Sequence, residues 1–135
     1  YNINFKEINF TTVFKIGEKS TIPIKIRESE KQNILGIENL KLFESEAQIV
    51  HSFMKNAGNI EVSFKYIKIN FEGNSNSAVS YEMIEGLNSG DNFIWKIDFT
   101  KKLLGDIQMS VNYSGRKSNE NKIIHTGGIS LRAVF

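Results

Sequence analysis

Three stretches toward the C-terminal end alternate apolar and polar residues at a period of two, a pattern that extended strands with two chemically distinct faces satisfy and helices do not. Phe93, Trp95, Ile97 and Phe99 alternate with Ile94, Lys96, Asp98 and Thr100. Ile107, Met109, Val111 and Tyr113 alternate with Gln108, Ser110 and Asn112. The last run carries Ile129, Leu131, Ala133 and Phe135 on one side and Ser130 and Arg132 on the other.

The same period extends back through the chain. Ile8, Phe10, Thr12, Phe14 and Ile16 oppose Asn9, Thr11, Val13 and Lys15, while Ile3 and Phe5 before them have the opposite phase, which predicts a bulge or strand boundary near Lys6 and Glu7. Ile22, Ile24 and Ile26 follow a turn at Gly17, with Pro23 removing one ladder donor. Phe43, Ala47, Ile49 and Phe53 share a face in a segment that also suits a helix by propensity. Ile60, Val62, Phe64 and Tyr66 alternate cleanly, and then Ile67, Ile69 and Phe71 switch phase, a second predicted slip. The expected strands are 8–16, 20–28, 42–53, 59–71, 92–101, 106–114 and 122–135. A helical turn fits within 81–87. Closing the fifth and sixth strands over a turn at 101–105 sets Phe99 against Ile107, Ile97 against Met109, Trp95 against Val111 and Phe93 against Tyr113. The wet side then pairs Asp98 with Gln108 and Lys96 with Ser110.

Composition narrows what such strands build. With 135 residues the chain makes one domain, and 17 basic against 15 acidic residues argue for neither nucleic acid nor an acidic partner. One proline and ten glycines suit strands joined by turns, and the absence of cysteine excludes a disulfide framework. No apolar run reaches the ~18 residues of a membrane-crossing helix, but barrel strands need only ~9–11 alternating residues. The chain starts at Tyr1 without an initiator Met or a leader pattern, as expected of a processed form or of a piece of a longer protein.

The connections read as short after the first, third and fifth strands and long after the second, fourth and sixth, the alternation of periplasmic turns and extracellular loops. The fold expected is therefore all-β, an antiparallel up-and-down transmembrane β-barrel of about seven strands, with residues 1–135 a single barrel segment. Seven is odd and too few for closure, so the remaining strands of a larger barrel are expected as partners. The lipid-facing set is Phe93, Trp95, Ile97, Phe99, Ile107, Met109, Val111, Tyr113, Ile129, Leu131, Ala133 and Phe135. The lumen-facing set is Lys96, Asp98, Gln108, Ser110, Asn112, Ser130 and Arg132. Phe53, Phe99 and Phe135 at one end, with Phe93 and Tyr113 at the other, make two aromatic girdles. The alternative is a soluble β-sandwich binding module at the end of a secreted or surface protein, which buries the same face against a second sheet.

Tyr81 to Leu87, then Gly90-Asp91-Asn92-Phe93-Ile94-Trp95, Tyr113-Ser114-Gly115-Arg116-Lys117, Ile124-His125-Thr126-Gly127-Gly128 and the final Leu131-Arg132-Ala133-Val134-Phe135 together resemble the C-terminal end of large outer-membrane β-barrel proteins from Bacteroidota, over about the second half of the chain. The terminal alternation also resembles the β-signal read by the barrel assembly machinery, with Ile129, Leu131, Ala133 and Phe135 as the signal residues. Ala133 stands where that signal usually has a bulkier side chain. The resemblance implies a bacterial outer-membrane location with the C-terminus on the periplasmic side. It also implies a structural, transport or secretion-complex role, within a multi-protein outer-membrane complex and in contact with outer-membrane lipid and lipopolysaccharide.

Residues that carry chemistry are sparse. His51 and His125 have no metal-ligand spacing, and no nucleophile elbow or phosphate loop stands out, so neither enzyme activity nor a cofactor or metal site is expected. Glu44 and Glu46 share a face, and Lys25, Arg27, Lys65 and Lys96 on other strands are expected to join them in an interior ion-pair network. Arg116, Lys117 and Lys122 fall in the last long loop, placed to meet lipopolysaccharide phosphates or simply solvent.

Overall fold

The computed structural model describes residues 2–53, 57–74, 76–103, 106–119 and 121–133. Seven strands, β1 (Ile3–Ile16), β2 (Ser20–Asn33), β3 (Asn39–Phe53), β4 (Gly58–Glu72), β5 (Gly90–Lys102), β6 (Ile107–Ser118) and β7 (Ile124–Ala133), form one antiparallel sheet in sequence order. A short helix, α1 (Ala78–Met83), lies between β4 and β5. The up-and-down order matches the expected topology. The sheet is open: β1 pairs with β2 and β7 with β6, and no β1–β7 pair closes it among the described residues.

The strands outrun their apolar alternation, because backbone hydrogen bonds continue where both faces are polar. β2 reaches Asn33 and β3 begins at Asn39, so their connection is 34–38 and not the long loop expected there. β6 reaches Ser118, which shortens the last connection to 119–123. Only the β4–β5 connection is long. β3 is a strand throughout, as its cross-strand partners override the helical propensity of its Glu, Ala and Gln residues. Pro23 sits opposite Val13 of β1, and on its other side the β2–β3 ladder gives partners at Thr21 and Ile24 but lapses between them.

Neither predicted slip is a bulge. β1 holds one register against β2 from Ile3 opposite Asn33 to Ile16 opposite Ser20, and β4 holds one register along all of β3. What changes is the face that is covered. At the end of the sheet that carries the β4–β5 connection, α1 packs on one face and buries Leu40, Leu42, Ile67, Ile69 and Met83, with Ile3, Phe71, Val79, Ile84, Leu87 and Ile94 around them. Apolar residues therefore move to the helix side near that end of the strand without any break in pairing.

α1 starts at Ser77, whose extended backbone and side-chain oxygen accepting from the Ser80 amide at 3.0 Å make an N-cap. The chain leaves the helix through Glu85, at φ 57, and Gly86, at φ 71. Positive φ is costly for a glutamate. It is held there by ion pairs to Lys31 at 2.8 Å and Arg27 at 3.2 Å, while Lys31 also donates to the Met83 carbonyl at 3.0 Å. Burial pushes the Glu85 carboxyl up, but the bonds from Lys31 and Arg27 outweigh it and hold the group below the usual carboxylate range.

Candidate functional site

The unbroken registers assign every strand residue to one of two faces, the helix face under α1 and the opposite, apolar face. Phe93, Trp95, Ile97, Phe99, Ile107, Met109, Val111, Tyr113, Ile129, Leu131 and Ala133 all lie on the apolar face, and Phe135 lies outside the described residues. Lys96, Asp98, Gln108, Ser110, Asn112, Ser130 and Arg132 all lie on the helix face. The two sets separate as period-two reading requires, yet their pairing differs from the expectation. Phe99 faces Val111, Ile97 faces Tyr113, Trp95 faces Gly115 and Phe93 faces Lys117. Asp98 faces Asn112 and Lys96 faces Ser114. The shift is an even number of residues, so it changes partners and leaves faces intact.

The physical reason lies in the shape of the apolar band. Ile8 to Ile16 on β1, Ile22 to Ile26 on β2, Ile60 to Tyr66 on β4, Phe93 to Phe99 on β5 and Ile129 to Ala133 on β7 form one belt across the sheet, in which Ile8 is 73% and Ile129 76% exposed. One hydrogen-bonded row runs Ile16, Ser20, His51, Ile60, Phe99, Val111, Ile129. It leaves β1 at the last band residue and meets β7 at the first. The band centre, Thr12 on β1 and Leu131 on β7, lies four residues before that row at one edge and two after it at the other. The net drift is six residues over six strand-to-strand steps, and it is taken unevenly: the bands are level between β1 and β2 and between β4 and β5, and four of the six residues fall between β5 and β6, where the expected register had set the two bands level. At ~3.3 Å per residue and ~4.8 Å per strand the net offset averages to a slope of roughly 35° across the sheet.

Aromatic rings mark the band's borders. Phe53 stacks on Phe99 at 5.7 Å beside His51, whose Nδ1 is 2.8 Å from the Ser20 hydroxyl. At the other border Tyr66 packs on Phe93 at 5.3 Å and donates its hydroxyl to Asp91 at 2.7 Å. Nearby, Trp95, Tyr113 and His125 form a cluster in which the Tyr113 hydroxyl meets His125 Nδ1 at 2.8 Å. Trp95 lies directly on Gly115, where a Cβ would come within 2.2 Å of the indole. The ring thus occupies the space a side chain would need. Period-two reading passed over this glycine because it sits past the last apolar residue of β6.

The helix face is wet and charged below α1. Arg27 bonds Glu44 at 2.8 Å and reaches Glu7 at 3.6 Å, and Lys65 bridges Glu44 at 3.2 Å and Glu46 at 3.6 Å. Arg27 and Lys65 thus enter the expected network with Glu44 and Glu46, but Lys25 and Lys96 make no ion pair among the described residues. Glu7 and Glu85 join instead, a contact that pairing of distant segments creates and spacing cannot show. Arg116 and Lys117 are not loop residues: they sit in β6 on opposite faces, Arg116 on the helix face and Lys117 on the apolar one. No three His, Cys, Asp or Glu among the described residues are grouped to hold a metal ion, and no helix is long and apolar enough to cross a membrane, which says nothing of a β-barrel.

No protein-family model, curated protein or solved structure matches this chain.

Proposed function

We propose that the chain is part of the wall of a bacterial outer-membrane β-barrel of the kind found in Bacteroidota, with its apolar face against lipid hydrocarbon and its helix face toward the lumen. The observation that carries this reading is the slant of the apolar band. A band level with a membrane must cross tilted strands diagonally, and spanning barrels tilt their strands by about 35–45°. Averaged over the six steps the net drift is about one residue per strand, which matches that diagonal, with most of it taken between β5 and β6. After tilt the belt covers about 22 Å of height on β1, about 16 Å on β4 and β5 and about 11 Å on β2 and β7, within the ~25 Å apolar zone of such barrels, and its aromatic borders suit the two interfaces. The soluble sandwich needs a second sheet over this face, and the described residues supply none.

In this reading α1 caps the inner wall near one mouth, and β7 carries Ile129, Leu131 and Ala133 toward the periplasmic side as part of an assembly signal whose sequence continues to Phe135. β1 and β7 run in the same direction, so antiparallel closure takes an odd number of further strands. A ring of like-oriented copies of this sheet alone sets β7 beside β1 in parallel and does not supply it. The role is structural or in transport or secretion, without catalysis. Trp95 is the one tryptophan and lies on the apolar face, so its emission reports the claim. In vesicles, brominated lipid is expected to quench Trp95 and aqueous acrylamide to leave it bright; quenching by acrylamide alone means that this face is not in lipid.

A further inference from the structure

The two halves of the helix face balance charge differently. On β1 to β4, Arg27, Lys31 and Lys65 each lie within 3.6 Å of a carboxylate, while Lys15 and Lys25, toward the other end of that face, make no ion pair among the described residues. On β5 to β7 the same face carries Lys96, Lys102, Arg116 and Arg132 against Asp98. Lys96, Arg116 and Lys122 have no carboxylate within ion-pair distance among the described residues. Arg116 lies opposite Ile94 and Lys96 opposite Ser114, which makes the two cations diagonal neighbours on adjacent strands.

These cations border a concave site. Two adjoining clefts share Arg116 and Ile124; one is bounded by the chain after α1 at Leu87 and Asn88 and by Lys122, the other by Lys96, Ser114 and Thr126. No carboxylate among the described residues lines either cleft. The rim is braced. The Asp91 amide donates to the Asn119 side-chain oxygen at 2.7 Å, the Asn119 amide returns a bond to the Asp91 carbonyl at 2.8 Å, and the Asn119 side chain donates to the Ser89 carbonyl. The connection before β5 is thereby tied to the one before β7. Asn119 takes φ 47 to do this, and Gly90 beneath it has no room for a Cβ, which would lie 2.3 Å from the Asn119 oxygen.

We propose that this cleft binds a tetrahedral oxyanion, a phosphate or sulfate group, with Arg116 supplying a two-pronged contact, Lys96 and Lys122 supplying point charges, and Ser114, Thr126 and Asn88 supplying neutral donors. Cations without a carboxylate partner around a concave, solvent-exposed site concentrate anions there, and a guanidinium beside ammonium groups matches the geometry and charge of a phosphate. Because Arg116 points away from the apolar face, a group on a soluble molecule fits better than a lipopolysaccharide headgroup; Lys117, on the apolar face, is the residue a headgroup would meet. The site stands on the separation of faces and not on the membrane reading. A protein that binds phosphate but fails the lipid-quenching test loses only the latter.

The test is titration of the intact protein in zwitterionic detergent with inorganic phosphate at constant ionic strength, followed by calorimetry and by amide shifts at Asn88 and Ser114. Saturable binding is expected, weakened tenfold or more by Arg116→Gln and by Lys122→Gln and unchanged by Lys117→Gln, which removes the same charge from the opposite face. Non-saturable binding, or equal weakening by Lys117→Gln, overturns the site and leaves only general charge attraction. Purified lipopolysaccharide forms the second arm; binding of it without binding of inorganic phosphate overturns the soluble oxyanion. Unchanged Trp95 emission certifies folding of each variant. Should Arg116→Gln fail that check, Arg116→Lys keeps the charge and loses the fork, and an undiminished affinity in that variant also overturns the proposal.

Discussion

Placing an arginine at Ile97 separates the membrane reading from any soluble one by a margin that the structure sets. Ile97 lies in the band between Trp95 and Phe99, faces Val62 on β4 and Tyr113 on β6, and leaves 39% of its surface uncovered. Full burial of an isoleucine is worth about 2–3 kcal/mol, so lipid over the uncovered part contributes about 1 kcal/mol. An arginine near the middle of a bilayer adds about 2–4 kcal/mol on the lipid side of a barrel. Ile97→Arg should therefore cost about 3–5 kcal/mol in vesicles. In water the guanidinium reaches solvent through the same uncovered surface, and the loss should stay near about 1 kcal/mol. Asn112→Arg, on the helix face of the next strand, should stay within about 0.5 kcal/mol in either setting. Urea unfolding of the protein in vesicles, followed by Trp95 emission, reads all three. If Ile97→Arg and Asn112→Arg shift the midpoint equally in vesicles, the apolar face is not against lipid.

Three other outcomes follow from packing around α1 and β6. Glu85 is held below its ordinary value near 4.5, so its contribution is fully present above that pH and is lost as pH falls through the lowered folded-state value. Protection of the α1 amides, measured against their intrinsic exchange rates at each pH, should fall over that acidic window, and Glu85→Gln should show the lower protection already at neutral pH with the acid dependence gone; an unchanged dependence would mean that another carboxylate holds the helix. Met83 is fully buried against Leu42 and Ile69, and Met83→Ala should cost roughly 2–3 kcal/mol, read as faster exchange in α1 with β6 and β7 unaffected. Gly115→Ala forces the indole of Trp95 off its seat and should shift the Trp95 emission and cost about 1–3 kcal/mol by urea unfolding; an unchanged spectrum would show that the ring does not rest on that glycine.

The faces were legible because a side chain's direction along a strand depends only on whether its position is odd or even. Trp95, Ile97, Lys96 and Asp98 could be assigned before any partner was known. The lengths of β2 and β6 were not legible, since Glu28 to Asn33 and Ser114 to Ser118 show no contrast between their sides, and only ladder hydrogen bonds mark them as strand. The phase changes at Phe5 and at Ile67 were visible as changes, but their meaning depended on α1, six residues long and carrying Met83 as its one fully buried apolar side chain. The ion-pair set was half legible. Glu44 and Glu46 with Arg27 and Lys65 follow from shared faces, whereas Glu85 reaches Arg27 only because the chain turns through positive φ after the helix.

By itself the sequence determined that this chain makes amphipathic antiparallel strands, and which side chains share a face, because a period of two is a local property of extended backbone. The tertiary structure decided which residues stand opposite one another, that the band runs aslant across the sheet, and that α1 covers one end of the polar face. Register has no local signature: sliding two strands by an even number of residues keeps every face intact. Only the packing of all seven strands together selects the offset that sets Trp95 over Gly115 and Phe99 against Phe53.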